Sequence, residues 1–246
     1  MDLQRLTESL QQQILQQDGI SIEKQMNYAI PVHTLEVKYH PVMRNAMDIL
    51  MKMMLLSFNK AKLKNAELLA DILLVEPLFI HDLTNKMLHL GMIQKEETFS
   101  LTAKGKAQLE SGIFEEELEE TSYFVQYSPV HEMLLDGDLE QFEELEQFPE
   151  SFPSVESEDI KEIEESMLID YIQQQLAAQP LAEDEVPQFI TSIVSSESVQ
   201  INDVPVVCFI VNNAKEDRQF ARVYNTLTGA WDSKLEASLF EMEKNK

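Results

Sequence analysis

Glycine is scarce in this chain of 246 residues: Gly19, Gly91, Gly105, Gly112, Gly137 and Gly229 are all there are, and no two stand closer than seven residues. That spacing excludes a P-loop, whose glycines lie five apart ahead of Lys-Ser/Thr, and a dinucleotide fingerprint, whose glycines lie two and three apart. It also excludes the nucleophile elbow, in which glycines flank a serine at two residues on each side. The one cysteine, Cys208, leaves no internal disulfide; within the apolar run 206–210 it reads as a small buried hydrophobe. Long hydrophobic runs are missing as well. The longest strongly apolar stretch, 49–58, is interrupted by Lys52 and is too short to span a bilayer. The first helix candidate carries charge and glutamine in place of an apolar signal-peptide core, so the expected localisation is cytoplasmic.

Basic residues are few: 19 Lys and Arg stand against 44 Asp and Glu, a net charge of −25. The imbalance is local. Residues 1–114 hold 12 basic and 13 acidic side chains, residues 115–170 hold 1 and 20, and residues 171–246 hold 6 and 11. An acidic segment bracketed by nearly balanced regions marks a boundary or an interaction segment rather than a property of the whole fold.

In the first region, Leu3, Leu6, Leu10 and Ile14 form one stripe of a glutamine-rich helix stopped by Gly19. The stripe suits packing on its own domain or formation of a homodimer. Leu35, Val37 and Tyr39 alternate with Glu36 and Lys38 as in a strand. Met43, Met47, Leu50, Met51, Met54, Leu55 and Phe58 then recur with helical spacing. A second helix carries Leu68, Leu69, Ile72 and Leu73. A third opens at Pro77 and turns Phe79, Ile80, Leu83, Met87 and Leu90 inward. Gly91 ends it, and two short extended runs around Met92–Gln94 and Phe99–Leu101 lead to a last helix from Thr102 to Gly112.

Helix, helix, helix, hairpin, helix is the order of a winged helix-turn-helix. Leu90-Gly91-Met92-Ile93 before the hairpin and Leu101-Thr102-Ala103-Lys104-Gly105 after it resemble the closing "LGLI … LTxKG" of MarR- and PadR-type bacterial regulators. The resemblance covers residues 41–112. It implies a third helix in the major groove of duplex DNA and a wing against the backbone. The candidate DNA contacts are His81, Asn85, Lys86 and His89 on that helix, with Lys60, Lys62, Lys64, Lys104 and Lys106 toward phosphates. Arginine is absent from the helix, the wing tip holds Glu96 and Glu97, and residues 38–114 are only +2 (10 basic, 8 acidic), so DNA affinity should be low. A protein-only use of the same domain is equally open.

Within the acidic segment, Phe142, Leu145, Phe148 and Phe152 recur at spacings of three and four. They suit either a solvated helix tucked onto the folded parts or a partner-binding segment facing a basic surface. Carboxylates standing in for DNA phosphates are a third option. No metal site and no cofactor is called for. Asp136-Gly137-Asp138 begins like a calcium loop but has Gln141 where the sharp turn needs glycine. His131-Glu132 lacks the second histidine of a zincin. His81, Asn85 and His89 offer too few ligands for zinc. Asp159-Ile160-Lys161 has the acid-x-lysine spacing of metal-dependent nucleases, without an upstream aspartate to complete it.

Beyond Pro180 and Pro187 the chain turns β-rich. The run 206–211 is apolar on both faces, as a central strand is, and Arg218 and Arg222 pair with nearby acids. The expected fold class is α+β: an N-terminal helix and strand (1–40), a mostly helical winged helix-turn-helix (41–114), an acidic linker (115–165) and a small α+β domain (166–246). The expected function is that of a non-enzymatic regulator or adaptor with a protein partner and possible duplex DNA contact, without a membrane role. The alternatives are a protein-interaction subunit of a larger assembly and a metal-dependent nuclease.

Overall fold

The computed structural model describes residues 2–139, 149–153, 160, 162–180 and 186–244. The elements in chain order are α1 (Leu3–Leu15), β1 (Ile20–Ala46), α2 (Ile49–Lys60), α3 (Leu68–Leu73), α4 (Pro77–His89), β2 (Ile93–Lys95), β3 (Phe99–Leu101), α5 (Ala103–Ser111), β4 (Ile113–Glu117), β5 (Thr121–Ser128), β6 (Met133–Leu135), β7 (Glu150–Ser151), α6 (Glu165–Ala178), β8 (Gln188–Asn213), β9 (Arg218–Asn225), β10 (Ala230–Trp231) and α7 (Ser233–Lys244). About 39% of the chain is strand, well above the 20–25% of an ordinary globular protein. This corrects the expected fold class: the chain is not a mostly helical winged-helix domain joined by a linker to a small domain, and a large, mainly antiparallel sheet dominates it.

Two compact units divide the chain, each built from separated segments. The first comprises Met1–Lys38, Ser122–Tyr171 and Ser195–Lys246, and the second Tyr39–Thr121 and Ile172–Val194. Residues 166–246 contribute to both units, and part of the expected linker is paired strand: β4, β5, β6 and β7 all fall wholly or partly inside 115–165.

In the first unit the strands run in the order β10-β9-β8-β1-β5-β6, with β7 pairing parallel to β1 at Tyr28 and Ala29. The stretch 206–211 of β8 is central, and both its faces are covered. Val206, Cys208 and Ile210 join Ile30, Val32, Val223, Leu235 and Leu239, the last two from α7. Val207, Phe209 and Val211 meet Leu3, Leu10 and Ile14 of α1. The stripe of α1 is thus spent within the chain, and Asp2 caps the helix by accepting the Gln4 N–H at 2.9 Å. Cys208 is fully buried, which pushes its thiol up to about 12 and keeps it protonated at neutral pH.

The second unit gathers α2, α3, α4, the β2–β3 hairpin and α5 around Met54, Leu55, Leu69, Ile80, Met87, Met92 and Phe99. Here the expected order of elements is present, with one shift. Met43 lies in β1 rather than α2, because residues 42–46 pair antiparallel with β4 from Val42↔Glu117 to Ala46↔Ile113. Helix α2 begins only after Asp48, whose side chain accepts the N–H of Leu50 at 2.7 Å. Helix α5 carries a buried polar group: Gln108 is 6% exposed, and neither amide atom has a partner among the described residues. An unmatched buried carboxamide costs about 1–3 kcal/mol. Gln108→Met keeps the length of the side chain and removes the polar atoms, so urea denaturation should show a gain of about 1–2 kcal/mol.

Candidate interaction surface

The helix α4, expected to face DNA, can be read residue by residue. His81, Asn85 and His89 stand exposed on successive turns. Lys86 is half-buried, its Nζ 3.2 Å from Glu116 Oε2 and 5.4 Å from the centre of the Phe114 ring. Lys104 on α5 lies 3.6 Å from Glu117, and Arg44 on β1 lies 2.9 Å from Glu115. Three successive glutamates of β4 therefore each take a cation from a different element. Such surface pairs add little stability, but every cation so held is one fewer phosphate contact. Of the remaining candidates, Lys60 ends α2, Lys62 and Lys64 lie in the following loop and Lys106 is on α5, all exposed.

What lies between the basic loop and Lys86 is different in kind. Residues 65–85 contain Glu67, Asp71, Glu76 and Asp82 and no Lys or Arg. Over the same stretch Leu68, Ile72, Leu74, Leu78 and Phe79 are each more than half exposed. This corrects the inward placement expected for Phe79. Scattered exposed leucines need no explanation; five large apolar side chains within twelve residues form a patch that does. A helix of only six residues, α3, buries Leu69 and Ala70 and leaves Leu68 and Ile72 exposed. The excess was visible in the sequence, since 68–80 carries apolar residues at ten of thirteen positions, more than one face of two short helices can hide.

Leu74 lies midway along this stretch, between α3 and α4. It ends α3 in the left-handed region with φ of +56°, its N–H and that of Val75 both directed to Ala70 O. The position suits glycine or asparagine; leucine there costs roughly 1 kcal/mol. Leu74 is nevertheless 92% exposed, the most exposed large apolar side chain among the described residues. A strained backbone that holds an apolar side chain out into water is an observation from which function can be argued.

A second cluster resembles hydrolytic machinery in composition. Ser128 Oγ and His131 Nδ1 are hydrogen-bonded at 2.7 Å, His131 Nε2–H donates to Asp232 Oδ2 at 2.8 Å, and Asn225 Nδ2–H donates to the same oxygen at 3.1 Å. Asp232 also accepts the Leu235 N–H at 3.2 Å, capping α7. Ser128 is wholly buried at the end of β5, so its oxygen meets no substrate, and the histidine is likewise enclosed. The three groups tie the β5–β6 turn, where Glu132 has φ of +54°, to the start of α7. Among the described residues no group of three or more His, Cys, Asp or Glu is placed to hold a metal ion, and the Tyr171 hydroxyl donates to Asp136 of the calcium-like stretch.

Of the expected partner-binding residues, Phe152 is buried in the first unit, its ring edge-on to Tyr28 at 5.7 Å and its N–H bonded to Ala29 O. It is a core anchor and is not available to a partner. Phe142, Leu145 and Phe148 lie outside the described residues, as do Asp159 and Lys161 of the acid-x-lysine triplet. Among the described residues no helix is long and apolar enough to cross a membrane. No family model, no curated protein and no solved structure matches the chain.

Proposed function

We propose that this chain is a non-enzymatic adaptor that acts through protein contacts made by its second unit, as a subunit of a larger assembly without direct DNA contact. The observation that carries this reading is the exposed apolar patch on α3 and α4. An apolar surface set among carboxylates favours a protein partner and disfavours phosphates. Phosphate-facing segments concentrate Lys and Arg; residues 65–85 have neither, and Lys86 and Lys104 are engaged by Glu116 and Glu117.

Fluorescence anisotropy of a labelled duplex titrated with the full chain tests the reading directly. The expected result is no saturable binding up to roughly 10 µM protein at about 0.05 M salt, a condition that exaggerates phosphate contacts. Binding that weakens by a decade or more between about 0.05 and 0.2 M salt, and is lost on replacing Lys60, Lys62 and Lys64 with glutamine, would instead support a DNA-facing role.

A further inference from the structure

We infer that the patch formed by Leu68, Ile72, Leu74, Leu78 and Phe79 docks a protein whose apolar contact face is flanked by Lys or Arg. The inference rests on the proposed adaptor reading and adds to it the chemistry of the partner. Its ground is the charge that surrounds the patch. Glu67, Asp71, Glu76 and Asp82 are all exposed and interleave with the five apolar side chains along the same twenty-one residues, with no cation among them. Charge placed at the margin of an apolar contact does little for affinity but selects partners, because like charges brought together at a desolvating interface are strongly unfavourable. A second copy of the same surface brings the same carboxylates and is repelled. A basic-flanked apolar face is matched twice, once by burial of Leu74 and its neighbours and once by charge.

The conformation of Leu74 adds an independent argument. Glycine or asparagine would relieve the backbone at φ of +56° and remove an exposed apolar side chain at the same time. Retaining leucine there is unfavourable in the free protein and is repaid only when the side chain enters a partner's pocket. Anchor residues of interfaces behave in this way, projecting into a desolvated pocket at the centre of the contact.

Methyl-labelled full-length protein (Ile, Leu and Val) provides the test. Two synthetic amphipathic helical peptides with the same leucine face are titrated in, one flanked by lysines and the other by glutamates. The lysine peptide is expected to shift the methyl signals of Leu68, Ile72, Leu74 and Leu78, and to bind about tenfold or more tightly than the glutamate peptide. Leu74→Asn should weaken that binding roughly fivefold or more while leaving the melting temperature unchanged or higher. Asp71→Asn with Asp82→Asn should narrow the preference between the peptides without abolishing the methyl shifts. Because the chain is acidic overall, lysine-peptide binding that leaves these methyls unmoved is counted as non-specific and overturns the inference. Equal binding of both peptides at the patch overturns the basic-partner inference and leaves the adaptor reading standing. No shift with either peptide removes both. Concentration-dependent shifts at the patch without peptide, with a dimer mass by sedimentation, would replace the basic partner by a second copy.

Discussion

Replacing Gly105 with alanine is expected to cost about 3 kcal/mol or more, the largest effect of any single methyl added to the second unit. A Cβ built on Gly105 would lie 1.9 Å from Met92 O and 2.8 Å from Met92 C. Those atoms are backbone, and they are already held. The Thr102 N–H donates to Met92 O at 3.0 Å, and the Thr102 hydroxyl reaches Gly91 O at 2.7 Å while also accepting the Gly105 N–H at 3.0 Å. Moving Met92 away from a new methyl would break the bonds that fix the start of α5 to the hairpin, and Met92 itself is fully buried. Gly112 is the comparison. It ends α5 with φ of +73° and faces open space, so Gly112→Ala carries only the left-handed penalty of about 1 kcal/mol. Guanidinium denaturation followed through the second unit should separate the two variants by about 2 kcal/mol. Equal losses would mean that α5 can move away from Met92, and that the close approach is not what fixes this glycine.

The same residues show how much of the fold the sequence exposed. The segment Leu101-Thr102-Ala103-Lys104-Gly105 was legible as a hairpin-to-helix junction, and its side chains do cap α5 and bring it against Met92. Helices α1, α3, α4 and α5, the β2–β3 hairpin and the central run of β8 were also legible, because in each the apolar period or the caps are local. The long strands were not. β1 runs for 27 residues through Pro31 and Pro41, and β8 for 26 residues through a polar stretch at 195–203. Proline and runs of serine, glutamine and asparagine ordinarily mark breaks. The polar stretch at 195–203 is largely exposed, whereas Pro31 and Pro41 are buried within β1, so only fragments of the two strands, the alternation at 35–39 and the apolar run at 206–211, announce them. Strand pairing is fixed by distant partners, β4 for the end of β1 and β9 for the end of β8, and a single sequence carries no local record of such partners. The patch on α3 and α4 was hidden for the opposite reason. Helical periodicity turned Phe79 inward and gave Leu68 and Ile72 no face, and only the excess of apolar residues over one buried face betrays that some must remain outside.

Asp232→Ala is expected to cost about 3 kcal/mol, with a dependence on pH that identifies the cause. Three donors converge on this carboxylate: His131 Nε2, Asn225 Nδ2 and the Leu235 N–H. Burial alone would raise its pKa, but the hydrogen bonds from His131 and Asn225, the charge interaction with His131 and the capping N–H outweigh it and hold the carboxyl below its ordinary value. A carboxylate depressed in the folded state binds fewer protons there than in the unfolded chain. Its stabilisation is therefore complete above its unfolded pKa of about 3.9 and is lost as the pH falls through the lower folded value. One turn into α7, Glu236 has the opposite sign. Burial pushes it up despite Arg222, whose Nε lies 3.1 Å from Oε1, and despite the Val223 N–H. The folded chain takes up a proton on Glu236 first, so this group gains stability as the pH falls from its raised folded value toward about 4.3. The two contributions separate by subtraction. The difference in unfolding free energy between the unaltered chain and Asp232→Asn should shrink as the pH falls below about 4, while the difference for Glu236→Gln should change mainly on the mildly acidic side above about 4.3. Subtraction also removes the relief of self-repulsion that every acidic protein gains in acid. If the Asp232→Asn difference stayed level down to about pH 2, the buried trio of Ser128, His131 and Asp232 would be holding α7 by shape alone, without drawing on the charge of the carboxylate.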